Sequence, residues 1–118
     1  VAHKSGLKWP DGCLVSSVEI RDHVIGRYRE RNFDDQDVTD RTIRNRIASD
    51  IDRCGCFAWT LPGNDVWVLF IDDEAVAVAR GQENKMIVIS YYGSKQLVVW
   101  HRHQEILIRR TRKAKAAV

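Results

Sequence analysis

The run Thr42-Ile43-Arg44-Asn45-Arg46-Ile47-Ala48-Ser49-Asp50-Ile51-Asp52-Arg53-Cys54-Gly55-Cys56-Phe57-Ala58-Trp59-Thr60-Leu61 decides the fold. In its first half Ile43, Ile47 and Ile51 recur at every fourth residue with Ala48 beside them. That spacing puts one apolar stripe on a helix. Cys54-Gly55 ends the pattern. Beyond it Phe57, Trp59 and Leu61 alternate with smaller or polar residues, the period of a strand with one face covered. A chain that changes period once, with helices before the break and strands after it, reads as α+β.

Toward the N-terminus, Asp37 is placed to cap this helix, which is expected over residues 38–52 with Asp40 in its first turn. Asn32-Phe33-Asp34-Asp35 forms the connection to an earlier helix, expected over residues 17–32. Ser16 or Ser17 caps it, Glu19 sits in its first turn, and Val18, Val24, Ile25 and Tyr28 make its apolar stripe. Gly26 weakens that helix by about 1 kcal/mol relative to alanine, which predicts close packing there. Residues 1–15 read as an irregular lead-in with a turn at Asp11-Gly12, and Trp9 is expected to fold back on the domain.

Toward the C-terminus, strands are expected at residues 56–61, 66–71, 75–80 and 85–92. Pro62-Gly63-Asn64-Asp65, Asp72-Asp73-Glu74 and Gly81-Gln82-Glu83-Asn84 separate them. Loops this short between consecutive strands predict a four-stranded antiparallel sheet. Residues 66–71 are the most apolar and are expected to be its most buried strand. After Gly93-Ser94, Leu97-Val98-Val99-Trp100 has the composition of a strand. Joined to Ile106, Leu107 and Ile108 it reads instead as one long helix capped by Ser94, and the helix is the preferred reading. Residues 109–118 form a basic tail.

The 118 residues suit one domain, and 44% apolar types suffice for one core. No apolar run approaches the ~18 residues of a membrane span, and no charged-then-apolar leader is visible. The expectation is a soluble, cytoplasmic protein without a membrane partner. Three cysteines, Cys13, Cys54 and Cys56, cannot close a disulfide framework. They read as small buried thiols in a reducing compartment. Charge is unevenly spread: residues 54–94 sum to −3, whereas residues 95–118 carry seven bases against Glu105. A basic end on a near-neutral body suggests a polyanionic partner or a solvated tail.

His23, Arg27 and Arg31 recur at intervals of four, so they share one helical face. An imidazole exchanges protons near neutral pH, and neighbouring guanidiniums hold a phosphate through paired donors. The competing reading is a polar helix face with Arg27 and Arg31 paired to Glu30, Asp34 or Asp35. A second cluster, Trp100-His101-Arg102-His103 with Arg109, Arg110, Arg112, Lys113 and Lys115, reads as a source of phosphate contacts. Lys85 and Lys95 join it as candidate nucleic-acid contacts. Arg41, Arg44 and Arg46 on the second helix offer DNA contacts, but acids beside them oppose these. Asp72-Asp73-Glu74 reads as a solvated turn. No Gly-rich phosphate loop is present, and no metal or cofactor is expected.

The segment His23-Val24-x-x-Arg27-Tyr28-x-Glu30-Arg31-Asn32-Phe33, followed by acids and Val38, resembles the "His-Ala-x-x-Arg-x-x-Glu-Arg-Gly" helix of small ribonucleases related to barnase, colicins and RelE. Val88-Ile89-Ser90-Tyr91-Tyr92 resembles the family's late hairpin. The resemblance covers roughly residues 18–92. Asn32 and Phe33 stand where the family has glycine and an apolar residue, and the chain extends past the sheet. The resemblance implies metal-independent RNA cleavage through attack by the ribose 2′-hydroxyl. His23 is then general acid or base, and Arg27 and Arg31 bind the scissile phosphate. Ser90 or Tyr92 comes from the last strand. It also implies an inhibitory protein partner. The alternative is a non-catalytic module on the same fold that binds nucleic acid or a protein.

Overall fold

The computed structural model describes residues 6–32, 36–62 and 65–116. Along the chain come β1 (Val18–Ile20), α1 (Asp22–Arg31), α2 (Asp40–Cys54), β2 (Gly55–Thr60), β3 (Val66–Ile71), β4 (Glu74–Arg80), β5 (Met86–Ser94) and α3 (Lys95–Ala116). A 3-10 turn at Gln82–Asn84 joins β4 to β5. The sheet has the order β1-β5-β4-β3-β2. The fold is therefore α+β, with β2 to β5 forming the expected antiparallel meander.

The sheet is not purely antiparallel and does not follow both helices. Val18-Glu19-Ile20, expected to open the first helix, is a strand instead. It pairs parallel to β5, with Val18 opposite Met86 and Ile20 opposite Val88. Ser17, expected as a cap, gives its carbonyl to the Met86 N–H at 2.9 Å. α1 consequently starts at Asp22, whose carboxylate sits favourably in the first turn. Thr39, not Asp37, caps α2, its hydroxyl accepting from the Thr42 N–H at 3.2 Å. Of the predicted connection at 32–35 and the turn at 62–65, residues 33–35 and 63–64 lie outside the described residues.

α1 and α2 cover one face of the sheet. Val24, Ile25 and Tyr28 from α1 and Ile43, Ile47, Ala48 and Ile51 from α2 pack on Leu69, Ile71, Val76, Val78, Met86, Val88 and Tyr91. Ile43 and Ile51 are fully buried, so truncating either to alanine costs about 2–5 kcal/mol. The lead-in closes the same core, as expected of Trp9: its ring is 1% exposed and its Nε1–H donates to the Asn84 carbonyl at 2.9 Å. Gly26 does not pack closely; an added Cβ would meet nothing within 4 Å.

Two departures from strict alternation decide what the other face carries. In β2, Phe57 lies opposite Leu69 and Trp59 opposite Val68, a bulge at Ala58. Phe57, Trp59 and Leu61 therefore do not share one face. Phe57 joins Trp9 and Trp67 on the α1/α2 side, and Trp59 turns to the far side beside Phe70. The most buried strand is β4, not β3. It is central, its valines 76 and 78 fill the helix-covered face, and Ala75 and Ala77 are buried on the opposite one. Cys13 and Cys56 are exposed and Cys54 half-buried, all as free thiols, so the expectation of buried thiols fails for two of the three.

Candidate nucleic-acid interface

α1 runs alongside β5. His23 Nε2 is hydrogen-bonded to the Ile89 carbonyl. One step on, the Tyr28 and Tyr91 rings lie 5.7 Å apart. At the far end the Arg31 side chain lies over Gly93. Helix rise from residue 23 to 31 is roughly 12 Å, and strand rise from 89 to 93 is about 13 Å, so the two elements stay in step. Gly93 makes the last contact possible. Its φ is +79°, and a Cβ there would fall 2.7 Å from Arg31 Cδ.

With Nε2–H donating to a carbonyl, a neutral His23 keeps Nδ1 as an acceptor. Arg27 is exposed and meets Glu30 at 4.0 Å, an ion pair that adds little. Ser90 lies opposite Ala77, on the face away from α1 and α2. Tyr92 lines a groove beneath α3 that includes none of His23, Arg27 and Arg31. The structure thus sets His23 and Arg31 on one side of β5 and Ser90 and Tyr92 on the other, along the same stretch of strand. It does not gather the five into one pocket.

That groove is built by α3, which forms as the preferred reading expected. The Ser94 hydroxyl accepts from the Leu97 N–H at 3.4 Å, and the Lys95 N–H donates to the Asp73 carbonyl at 2.7 Å. The alanines of β4 leave room for the helix to approach. Two cations then lie on aromatic faces: Lys95 Nζ 4.8 Å from the Phe70 centroid and Arg102 Cζ 5.4 Å from that of Trp59. Between helix and sheet remains a groove of about 630 Å³. Val68 forms part of its floor, Trp59 and Tyr92 supply aromatic surface, and His101, Arg102, Glu105 and Arg109 descend from α3. Exposed Arg110, Arg112 and Lys113 continue the basic run beyond it.

Two other candidates, Lys85 and Arg44, are already engaged. Lys85 pairs with Glu19 at 3.0 Å, beside β1. Arg44 is tied to Asp22 and to the Ile20 carbonyl, which gives it a structural role at the α1–α2 junction. His103 is exposed on α3.

A smaller pocket of about 230 Å³ opens where Asp50, Asp72, Asp73 and Glu74 meet Tyr28 and Tyr91. Burial pushes the Glu74 carboxyl up from its ordinary range, the neighbouring aspartates add to this, and the Tyr91 hydroxyl bond partly offsets it. Burial, then the bond to Glu74, pushes the Tyr91 hydroxyl up as well. Among the described residues no three His, Cys, Asp or Glu side chains are grouped as metal ligands. No described helix is long and apolar enough to cross a membrane.

Sequence reasoning placed Arg102 and Arg109 among the basic contacts but missed Trp59. Only the bulge at Ala58 brings that ring to the α3 side, and nothing in the local sequence announces it. No protein-family model, curated protein or solved structure matches this chain.

Proposed function

We propose that the chain binds single-stranded RNA in the groove between α3 and the sheet. One observation carries this reading: Trp59 and Tyr92 line the same groove as Arg102 and Arg109. Unpaired bases stack on aromatic faces, and arginines beside them hold the phosphates between stacked bases. The exposed bases at 110, 112 and 113 extend that phosphate track along the helix. A titration of labelled single-stranded RNA, followed by anisotropy over a salt series, tests the proposal. Binding should weaken steeply with salt and exceed that of the matching duplex, whose bases are unavailable for stacking. Equal affinity for both forms would leave only a charge effect and would contradict the groove as the site.

A second reading, metal-independent endoribonuclease activity, is favoured by the hydrogen bond that holds His23 on β5, on the helix face that also carries Arg27 and Arg31. A fixed imidazole with one acceptor nitrogen suits proton abstraction from a 2′-hydroxyl. Arg27 and Arg31 would then neutralise charge on the phosphorane. RNA bound in the groove would have to pass around β5 to reach them. Incubating RNA with the purified chain, with and without EDTA, and examining the product ends for cyclic phosphate decides whether cleavage occurs.

A further inference from the structure

We propose that the chain self-associates through the outer face of α3, as a two-fold pair of antiparallel helices. The groove-facing side of α3 carries Val98, His101, Arg102, Glu105 and Arg109. A different side carries Leu97, Trp100, Leu107 and Ile108, which at 100° per residue fall within about 100° of arc. These four are 41–55% exposed in the described structure, Trp100 with the neighbouring His101 ring edge-on to it. An exposed apolar stripe of this kind, interrupted at its middle by Gln104, is a partner surface.

The occupant follows from two features of the chain. The stripe reads nearly the same from either end: turned about a centre near residue 103, Leu97 faces Ile108 of a second copy and Trp100 faces its Leu107. Gln104 lies on the same arc close to that centre, where two amides can bond to each other and fix the register. Charge supplies the second feature. The same superposition carries residues 110–113 of the second copy alongside the start of α3. There the Asp72-Asp73-Glu74 corner stands, with the Lys95 N–H bonded to the Asp73 carbonyl. The helix is basic at its end, and the acidic turn Asp72-Asp73 adjoins its start, so an antiparallel pair sets opposite charges together. A parallel pair would set the two basic ends together. Such an isologous contact closes after two copies. It leaves both RNA grooves open but engages Arg110, Arg112 and Lys113, which also serve the RNA reading, so the mass measurements are made without RNA and keep the two tests distinguishable.

Light scattering coupled to gel filtration, and sedimentation velocity over a concentration series, test it. The contact is short, so dimerisation on the order of 10 μM is expected. Leu107→Glu should hold the chain monomeric with an unchanged circular dichroism spectrum. Asp73→Lys or Arg112→Glu alone should each weaken the dimer, and the double reversal should restore it. A wild-type chain still monomeric at about 100 μM overturns the proposal. So does a dimer indifferent to Leu107→Glu, or binding to anionic lipid vesicles by a chain that stays monomeric in solution.

Discussion

The Arg102 guanidinium lies over the Trp59 ring, 5.4 Å from its centroid, and this contact joins α3 to the sheet edge at β2. It also sets a groove arginine against a groove aromatic. A desolvated cation–π pair contributes up to about 2 kcal/mol, but Arg102 also has a phosphate role in the proposed complex.

Arg102→Ala should therefore lower RNA affinity and reduce the slope of log affinity against log salt by about one unit. Truncation after Ile108 removes Arg109, Arg110, Arg112 and Lys113 and should reduce the slope further without unfolding the domain, because the core lies elsewhere. An unchanged slope in the truncated chain would mean that the tail touches no phosphate.

Gly26→Ala should stabilise the protein by about 1 kcal/mol, since the helix gains propensity and the new methyl meets open space. Urea midpoints measure this directly. A loss of stability would show that α1 packs more tightly at Gly26 than these contacts indicate.

Glu74 gives the fold a pH dependence of defined sign. Its carboxyl is raised above 4.5 by burial first, so the folded chain holds that proton more tightly than the unfolded one. The associated stability is full below that ordinary value and is lost as pH rises through the folded value. Glu74→Gln keeps an acceptor for the Tyr91 hydroxyl and cannot ionise. The variant should gain stability relative to wild type between acid and neutral pH. Parallel stability curves for the two chains across that window would contradict the assignment.

If the chain cleaves RNA, His23→Ala should slow cleavage by ~10²-fold or more while leaving the groove, and thus RNA binding, intact. Arg31→Ala should lower the rate too, with EDTA without effect on either chain. Cleavage that survives His23→Ala would move the acid–base role to His101 or His103 on α3.

α2 was legible because Ile43, Ile47 and Ile51 repeat over three turns, and the β2–β5 meander because turn residues punctuate it. β1 was not. Three residues, Val18-Glu19-Ile20, fit a helix turn as well as a strand, and their partner Met86-Ile87-Val88 is far along the chain. The burial of β4 was hidden for a related reason: its alanines look weak in isolation, and only the strand order makes them central. The basic character of α3 was plain, but the aromatic half of the groove depends on a bulge whose position local sequence does not encode. The row His23, Arg27, Arg31 was correctly seen as one helical face; its separation from Tyr92 comes from the two sides of β5.

Trp59 is where the account of RNA binding is most exposed. Anisotropy titrations of one single-stranded RNA should be made with wild type, Trp59→Ala and Trp59→Phe at the same salt. Loss of a stacked base costs about 1–3 kcal/mol. Trp59→Ala should thus weaken binding by roughly 5- to 150-fold, whereas Trp59→Phe should keep most of the affinity and both should keep the wild-type salt slope. Affinity unchanged in Trp59→Ala, with the protein folded, would contradict the groove as the RNA site.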